Sequence, residues 1–434
     1  MPSPAHAQES FADIAARLAA YDPKALRVEL AQQFIQSLLQ RPQTMETVGL
    51  RQARGRVLAA DVISPLNVPA HDNSAMDGYA LRASDLRSDG PTQLHVAGTS
   101  LAGQAAAPEL APGSCQRIMT GALMPAGLDT VVPQEFTRAL IDGQIEIPPG
   151  LLQAGDNRRC AGEDLRQGEV ALSAGRRLKP ADIGLLASLG LAQVQVWRRL
   201  KVAVLSTGNE LCELGQSPRA GGLYDSNRYT LCALLEQLGV EVLDLGLVRD
   251  EPAALRAAFA HAAAEADAVI SSGGVSVGEA DHTKAVMAEL GDVLFWRVAM
   301  RPGRPLAIGR ISNTEGRSCL MFGLPGNPVA VMVTFYAFVR EALLAMSGAT
   351  PEPLLTLQAI SSQALRKKPG RTEYQRGIVS RRSDGRWQVD ITGNQGSGIL
   401  SSMSQANGLV VLGHEQGDLA AGELVEVWPF EGLA

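Results

Sequence analysis

The stretch "DAVISSGGVSVGEADHTK", from Asp267 to Lys284, decides the fold of the central part of the chain. It opens with a short apolar run, turns through paired glycines, and leads into the helical pattern "DHTKAVMAELG". A buried strand, a turn and a helix form the repeating unit of a doubly wound sheet. This unit therefore predicts an α/β domain with parallel strands.

The same alternation extends on both sides of this stretch, from residue 200 to about 347. The segments "KVAVLST", "VEVLDLGLV", "VLFWRVA" and "SCLMFG" are typical of buried strands. Helical segments separate them, among them "DSNRYTLCALLEQLG", which has a polar start and a glycine stop. We therefore predict a doubly wound parallel sheet over residues 200–347.

The glycine-rich turn allows two interpretations. Gly274–Gly278 matches the G-x-S-x-G pattern that exposes a serine nucleophile, here Ser276. A serine hydrolase also needs a histidine further along the chain, and only His282 and His414 follow. His282 is too close in sequence, and His414 lies in a separate C-terminal segment. The alternative is a phosphate-binding turn whose backbone N–H groups face an anion, and the sequence favours it.

The remainder of the chain divides by composition into further units. The apolar spacing from Leu26 to Leu39 predicts an amphipathic helix, and Gly- and Pro-punctuated apolar runs predict two small β domains. The predicted units are an extension (1–24), a helical domain (25–64 with 166–199), an inserted β domain (65–165), the α/β domain (200–347) and a C-terminal β domain (350–434).

Composition excludes several classes of protein. The chain has 434 residues with 39 basic and 45 acidic side chains, so nothing indicates a nucleic-acid binder. Its five cysteines form no C-x-x-C pair, which fits neither a zinc site nor a disulfide framework and favours the cytoplasm. It contains no uninterrupted apolar run of the roughly 18 residues that a membrane-spanning helix needs.

Candidate site residues follow the predicted strands, because ligands bind beyond the carboxyl ends of parallel strands. Glycine turns and hydroxyls can hold a phosphate, arginines suit oxyanions, and carboxylates near an anion require a bridging cation such as Mg²⁺. The predicted metal ligands are Glu210, Asp250 and Asp281. The other candidates at this edge are Ser206, Thr207, Gly273, Gly274, Ser276, Arg297, Arg301, Pro325 and Pro328.

Three polar segments of the inserted domain permit two interpretations. They are "HDNSAMDGYA" (71–80), "RIMTGA" (117–122) and "NRRCAGED" (157–164). Each contains residues typical of turns, and each also carries the short polar groups of a binding loop. Their composition does not decide between the two.

Taken together, the motifs resemble the MoeA family of molybdopterin molybdenumtransferases, which includes the E domains of gephyrin and plant Cnx proteins. The matching segments span Asp72 to Met403 in the family's order. They include "DNSAMDGYA", "LSTGNEL", "YDSNRY", "SSGGVSVGEADHTK", "GLPGNPVA" and "LRKKPGRTEYQRG". The resemblance implies a homodimer of four-domain subunits with a Mog-like molybdopterin-binding domain and a C-terminal β-barrel-like domain. It also implies an active site between that domain and the partner's β domain.

The implied reaction takes adenylylated molybdopterin and molybdate, inserts molybdenum into the dithiolene and releases AMP with Mg²⁺ present. The adenylyltransferase and recipient molybdoenzymes are implied as further partners. The resemblance assigns catalytic roles to Asp77 and Thr120, as well as to the three carboxylates. It adds Arg159, Asp164, Arg371 and Ser397 as substrate-binding residues.

One departure from the family concerns positive charge. Arginines stand at 297, 301 and 304, where the family often has lysines. Anion binding should survive, whereas proton donation by a lysine amine should not. Two other functions remain as alternatives, a Mog-type adenylyltransferase and a scaffold like gephyrin.

Overall fold

The computed structural model describes residues 26–40, 42–274, 282–313, 315–352 and 354–430, together with Asp13 and Ala16. Ser276 and Asp281, two residues of the predicted site, lie outside the described residues. Nearly all of the predicted extension, residues 1–24, lies outside them as well.

A helix, α1 (Val28–Leu38), follows the predicted amphipathic segment and buries one apolar face. That face packs in the core of the large sheet described below, where the Phe34 ring lies 6.1 Å from the Trp296 ring. Gln32 Nε2 also donates to the Ala337 carbonyl at 2.9 Å. The sequence grouped this helix with the helical domain, whereas its contacts are with the α/β domain.

After α1 the chain enters a small unit and then an inserted β unit. The small unit begins with β1 (Met45–Gly49), α2 (Leu50–Ala53) and β2 (Val62–Ile63). The inserted strands are β3 (Asn73–Ser74), β4 (Gly78–Leu81), β5 (Thr92–Ser100), β6 (Ser114–Ile118), β7 (Thr130–Pro133), β8 (Arg138–Ala139), β9 (Gln144–Ile147) and β10 (Arg158–Arg159).

The inserted unit is a six-stranded sheet of order β7-β4-β6-β5-β9-β8, and β10 pairs with β3 beside it. Alternating residues bury two separate apolar clusters, with Ala80 and Val131 in one and Leu81 and Val132 in the other. Both faces of the sheet are therefore covered, which a small β domain achieves through its long loops.

The chain then returns to the small unit through β11 (Val170–Leu172), α3 (Pro180–Ser188) and β12 (Gln193–Trp197). β11 pairs with β2, and β12 pairs with β1. Leu58, Leu186 and Val196 share one apolar core. Segments 45–63 and 170–197, which precede and follow the inserted sheet in the chain, therefore form one small unit.

The large α/β unit follows. Its elements are β13 (Lys201–Thr207), β14 (Leu211–Cys212), β15 (Leu223–Tyr224), α4 (Ser226–Leu238), β16 (Glu241–Val248), α5 (Pro252–Glu265), β17 (Ala268–Ser272), α6 (His282–Leu290), β18 (Gly291–Arg297), β19 (Met300–Arg301), β20 (Pro305–Ser312), β21 (Ser318–Leu324), α7 (Pro328–Thr334) and α8 (Arg340–Met346). Its main sheet has the order β16-β13-β17-β21-β20-β18.

This sheet is mixed, which corrects the prediction of a parallel sheet. β20 runs antiparallel to both of its neighbours, β18 and β21. The connection from β18 to β20 spans residues 298–304 and is too short for the crossover that parallel strands require. The other five strands still end at one edge, so the expected collection of site residues at that edge holds.

Helices cover both faces of the sheet. α4 packs over Val202 and Ile270 on one face, and α5 and α6 pack over Ala203 and Val269 on the other. α7, a π-helical turn at Phe335–Val339 and α8 run as one helix beside the first face. This helix, Pro328–Met346, passes a length and composition test for crossing a membrane, with a mean hydropathy of 1.7 and 78% of the tested window buried in the protein. Such burial is typical of a core helix.

The C-terminal unit contains β22 (Leu357–Ser361), β23 (Thr372–Arg381), β24 (Trp387–Ile391), α9 (Leu400–Gln405), β25 (Gly408–Leu412) and β26 (Leu424–Pro429). Strands pair in the order β23-β24-β22-β26-β25, and β25 pairs again with β23. The five strands therefore close into a barrel, as the fold prediction anticipated. β19 adds to β23, so the connection after β18 ties the barrel to the large sheet.

Candidate active site

The carboxyl ends of β13 and β17 form the centre of the site edge. Ser206 is fully buried, and its Oγ donates to Asp225 Oδ1 at 2.9 Å. Asp225 in turn caps α4 by accepting from the Arg228 backbone N–H at 3.2 Å. Ser206 is therefore committed to organising the start of α4. Its predicted role in substrate binding is indirect in this geometry.

Three buried polar atoms at this edge have no hydrogen-bond partner within the described chain: Thr207 Oγ1, Ser271 Oγ and Asn227 Oδ1. A buried polar group without a partner costs about 1–3 kcal/mol. Since the three atoms come from adjacent strand ends and the start of α4, a polar ligand at this edge would satisfy them. Thr207 was a predicted site residue, and Ser271 and Asn227 were not.

The turn after β17 requires glycine at two positions. Gly273 and Gly274 have φ values of +91° and +69°, and added Cβ atoms would lie 2.3 Å from Thr207 O and 2.4 Å from Thr283 Oγ1. The Gly273 N–H donates to Leu324 O at 3.2 Å, so it is already used within the protein. Of the two backbone N–H groups predicted to face a phosphate, only that of Gly274 therefore remains a candidate.

Asp250 lies beside this turn. Its side chain is half-buried, and its Oδ1 lies 3.5 Å from Thr283 Oγ1, the group that also contacts the Gly274 position. Glu210 is exposed, and its carboxylate folds over Gly208. Among the described residues, no group of three or more potential metal ligands is assembled. The third predicted ligand, Asp281, lies outside the described residues, so the predicted trio remains a proposal.

Arg228 organises the acidic side of the edge. Its guanidinium contacts Asp225, Asp244 and Glu213, at 3.0, 2.6 and 2.8 Å. Burial alone would lower the pKa of Arg228, but the hydrogen bond to Asp225 and the charge of Asp244 raise it above its ordinary value. Since Glu213 lies on the loop that carries Glu210, this cluster fixes the base of that loop.

A second part of the site is a cavity of 570 Å³ between the large unit and the barrel. It brings together four predicted residues, Arg301, Pro325, Arg371 and Ser397. Arg304, Asn327 and the loop Gln395–Gly396 also line it and were not predicted as site residues. Three guanidinium groups around one cavity make a site for an oxyanion.

Glu373 fixes two of these arginines. Its carboxylate is buried, and it accepts from Arg371 Nε at 2.8 Å and lies 3.9 Å from Arg301 Nη1. Arg301 and Glu373 are also register partners of β19 and β23. The single negative charge of Glu373 therefore holds two arginines at the cavity and neutralises only one of their two positive charges. Glu373 was not among the residues predicted from the sequence.

Two other predicted residues lie near this cavity but outside its lining. Arg297 is exposed at the end of β18, the outermost strand, and its carbonyl accepts from Leu26 N at 3.1 Å. Pro328 begins α7, whose Val329 N–H donates to the Ser397 carbonyl at 3.1 Å. Arg297 is therefore not among the residues that line this cavity with Arg301, and Pro328 helps to shape the wall.

The inserted sheet carries a third cluster. Asp77 Oδ1 accepts from both the backbone N–H and the hydroxyl of Thr120, each at 2.7 Å. These hydrogen bonds, the backbone one foremost, hold the pKa of Asp77 below its ordinary value. Arg159 pairs with Glu163 at 2.6 Å, and Asp164 is exposed beside them. Within the described chain, no hydrogen bond or ion pair links this cluster to the sheet edge.

The fold and these clusters define a multidomain α/β protein with an arginine-lined cavity between a Mog-like sheet and a β-barrel. Three family models match in chain order. They are the MoeA N-terminal region, domains I and II, over residues 26–190, a probable molybdopterin binding domain over 203–345, and the MoeA C-terminal region, domain IV, over 358–430.

Individual relatives agree with these matches. A molybdopterin molybdenumtransferase of Haemophilus influenzae is 44% identical over 90% of this chain and 95% of its own length. One from a Nostoc species is 39% identical over 85% of each chain. The crystal structure of a molybdopterin biosynthesis moeA protein from Pyrococcus horikoshii OT3 matches with a TM-score of 0.79 and 28% identity, over 93% of this chain and 99% of that one. The chain belongs to the MoeA family.

Proposed function

We propose that this protein is a molybdopterin molybdenumtransferase, which takes adenylylated molybdopterin and molybdate and releases AMP as it forms the molybdenum cofactor. The observation that carries this proposal is the arginine-lined cavity beside the edge of the molybdopterin-binding-type sheet. Curated relatives that carry this name span 85% or more of the chain. The flanking units match MoeA models too, which favours this activity over a Mog-type adenylyltransferase.

The two parts of the site suit two different substrates. The strand-end edge offers Thr207, Gly274 and Asp250, which are hydroxyl, amide and carboxylate groups for a phosphoanhydride. The cavity offers Arg301 and Arg371, whose planar guanidinium forks match a tetrahedral oxyanion. We therefore assign the adenylylated pterin to the edge and molybdate to the cavity. In this arrangement the phosphoanhydride is cleaved near Asp250, and molybdate is bound next to it in the cavity.

The carboxylates fit Mg²⁺ through their chemistry. Mg²⁺ binds one or two protein carboxylates and fills its other positions with water and substrate phosphates. Asp250 is half-buried and next to the glycine turn, so it is the first candidate ligand, with Glu210 and Asp281 as the others. When bound, Mg²⁺ would supply the positive charge that allows a phosphoanhydride to lie beside these carboxylates.

The inserted sheet completes the proposal. Asp77 and Thr120 form an exposed, hydrogen-bonded pair with no described hydrogen bond to the sheet edge. Arg159 ends the neighbouring strand β10, and Asp164 lies in the loop that follows it. A homodimer in which this loop cluster faces the partner's sheet edge would give these residues a substrate to contact. We propose that arrangement, a cytoplasmic location, and the adenylyltransferase and recipient molybdoenzymes as partners.

The Asp250→Ala variant tests the assignment of the edge. We expect AMP release from adenylylated molybdopterin to fall by about 100-fold or more, equivalent to roughly 2.7 kcal/mol of transition-state stabilisation. Asp292→Ala is the matched control, because Asp292 is an exposed carboxylate at the opposite end of the same sheet. Unchanged AMP release in Asp250→Ala, with Mg²⁺ dependence intact, would show that the edge is not the reaction site.

A further inference from the structure

Arg376 is a buried cation in the middle of β23. Only 1% of the residue is exposed, and it is the largest of the fully buried side chains. Its Nε donates to Ser402 Oγ at 3.0 Å, and its Nη2 donates to the carbonyls of Gly396 and Asn394 at 2.9 and 3.4 Å. No ion pair of the described residues includes it. Among the described residues, its guanidinium donates only to neutral oxygens.

Such a surrounding is costly for a guanidinium. A buried charge is normally compensated by an opposite charge, as Arg228 is by three carboxylates in this same chain. The pKa of Arg376 is shifted in the opposite direction from that of Arg228, because burial and then the neighbouring charge of Arg301 lower it to about 10. Packing alone would be served better by an apolar side chain, so the charge needs another explanation.

The acceptors of Arg376 lie on the loop that lines the anion cavity. The same loop is tied to the Arg376 backbone, since Gln395 Oε1 accepts from the Arg376 N–H at 2.8 Å and the Thr392 N–H donates to the Arg376 carbonyl at 3.0 Å. Gln395, Gly396 and Ser397 then line the cavity directly. Both the side chain and the backbone of Arg376 therefore set the shape of this wall.

We propose that Arg376 is a positioning residue for the anion cavity: it holds loop 394–397 against the bound oxyanion and adds positive charge from beneath. An anion in the cavity is the counter-charge that Arg376 and Arg301 share. This inference rests on the proposed function, which places molybdate in the cavity. Arg376 acts through Gly396 and its neighbours and does not touch the substrate.

The test compares Arg376→Gln with two other variants of the full-length protein. We expect Arg376→Gln to raise the KM for molybdate about tenfold and to leave the KM for adenylylated molybdopterin unchanged, because a charged donor to two carbonyls is lost. Arg381→Gln is the matched control. Arg381 is on the same strand and also donates to a carbonyl, Gly385 O at 3.1 Å, but it is exposed and is not among the cavity-lining residues.

Arg371→Ala separates this inference from the proposed function. If Arg371→Ala does not weaken molybdate binding, the cavity is not the molybdate site and both proposals fail. If Arg371→Ala weakens it and Arg376→Gln changes only thermal stability, then Arg376 is merely structural. Should Arg376→Gln not fold, hydrogen exchange of the unaltered protein decides. Added molybdate should protect the amides of residues 394–397, and equal exchange with and without molybdate would overturn the inference.

Discussion

Gly303 lies in the wall of the cavity and cannot accept a side chain in its present conformation. Its φ is +99°, and a Cβ there would lie 2.5 Å from Thr334 Cγ2 and 3.3 Å from Met300 Cε. For Gly303→Ala, a left-handed backbone costs alanine about 1–2 kcal/mol, and overpacking costs about 1–3 kcal/mol more. We therefore expect the free energy of unfolding to fall by about 2–5 kcal/mol, with a raised KM for molybdate.

A second substitution isolates the steric part. Thr334→Ser removes Cγ2 but keeps the hydroxyl that donates to Ala330 O at 2.7 Å. Alone it should cost about 0.5–1.5 kcal/mol, as for other losses of one buried methyl group. In the Gly303→Ala/Thr334→Ser double variant the clash disappears and the backbone strain remains. The double variant should therefore be less destabilised than the sum of the single variants by about 1–3 kcal/mol.

The assay is urea denaturation of all four proteins, with ΔG compared only where the slopes agree. The molybdate KM is measured in parallel, and Thr334→Ser should restore part of the loss caused by Gly303→Ala. If the two substitutions add within about 0.5 kcal/mol, the contact with Thr334 does not limit this position. That result would show that Gly303 is not closely packed against Thr334 of the neighbouring helix.

Two further predictions concern titratable groups. Thr120→Val removes the hydroxyl donor to Asp77, so the pKa of Asp77, now held below 3.8 by the backbone and then the side chain of Thr120, should rise toward that value in an NMR titration. Because folding lowers the pKa of Asp77, the ionised carboxylate stabilises the fold above its unfolded-state pKa, and this stabilisation is lost as the pH falls through the folded-state pKa. If the pKa of Asp77 does not change in Thr120→Val, the Thr120 hydroxyl does not contribute to the shift. Among the cysteines, burial raises the pKa of Cys115 and Cys319 to about 12, so at pH 8 a thiol reagent should label exposed Cys160 first and these two only after unfolding. Labelling of Cys319 in the native protein would refute its burial.

The sequence predicted the edge of the large sheet well. Parallel strands end on the same side, so the residues after β13, β16 and β17 had to gather there whatever the order of the strands. It missed β20, because Pro302, Gly303 and Pro305 looked like a loop before it. Pro302 and Gly303 in fact lie in a short return connection, whereas Pro305 begins β20, and the shortness of that connection makes β20 antiparallel. A period-2 pattern in a short apolar run cannot reveal such a reversal.

The anion cavity was predicted only in part. Arg297 and Arg301 were both candidates at the sheet edge, and of the two only Arg301 lines the cavity. The chain leaves the large sheet at Arg297 and joins the barrel at Arg301, so the two residues belong to different sheets. Glu373 and Arg376 gave no signal, since charged residues in a strand usually face solvent. Their burial depends on the barrel's closure and on a loop about 20 residues further along the chain.

The arginines of the cavity bear on which steps of the reaction can occur there. The family resemblance leads us to expect lysines at several of these positions, and a lysine amine can give up a proton near neutral pH when its pKa is lowered. Arg301 and Arg371 remain charged, and their forks allow each to contact Glu373 and still present N–H groups to the cavity. These two can therefore bind and orient an oxyanion but cannot transfer a proton to it. Any proton needed as the phosphoanhydride breaks must then come from water, because Asp250 as a Mg²⁺ ligand would be ionised.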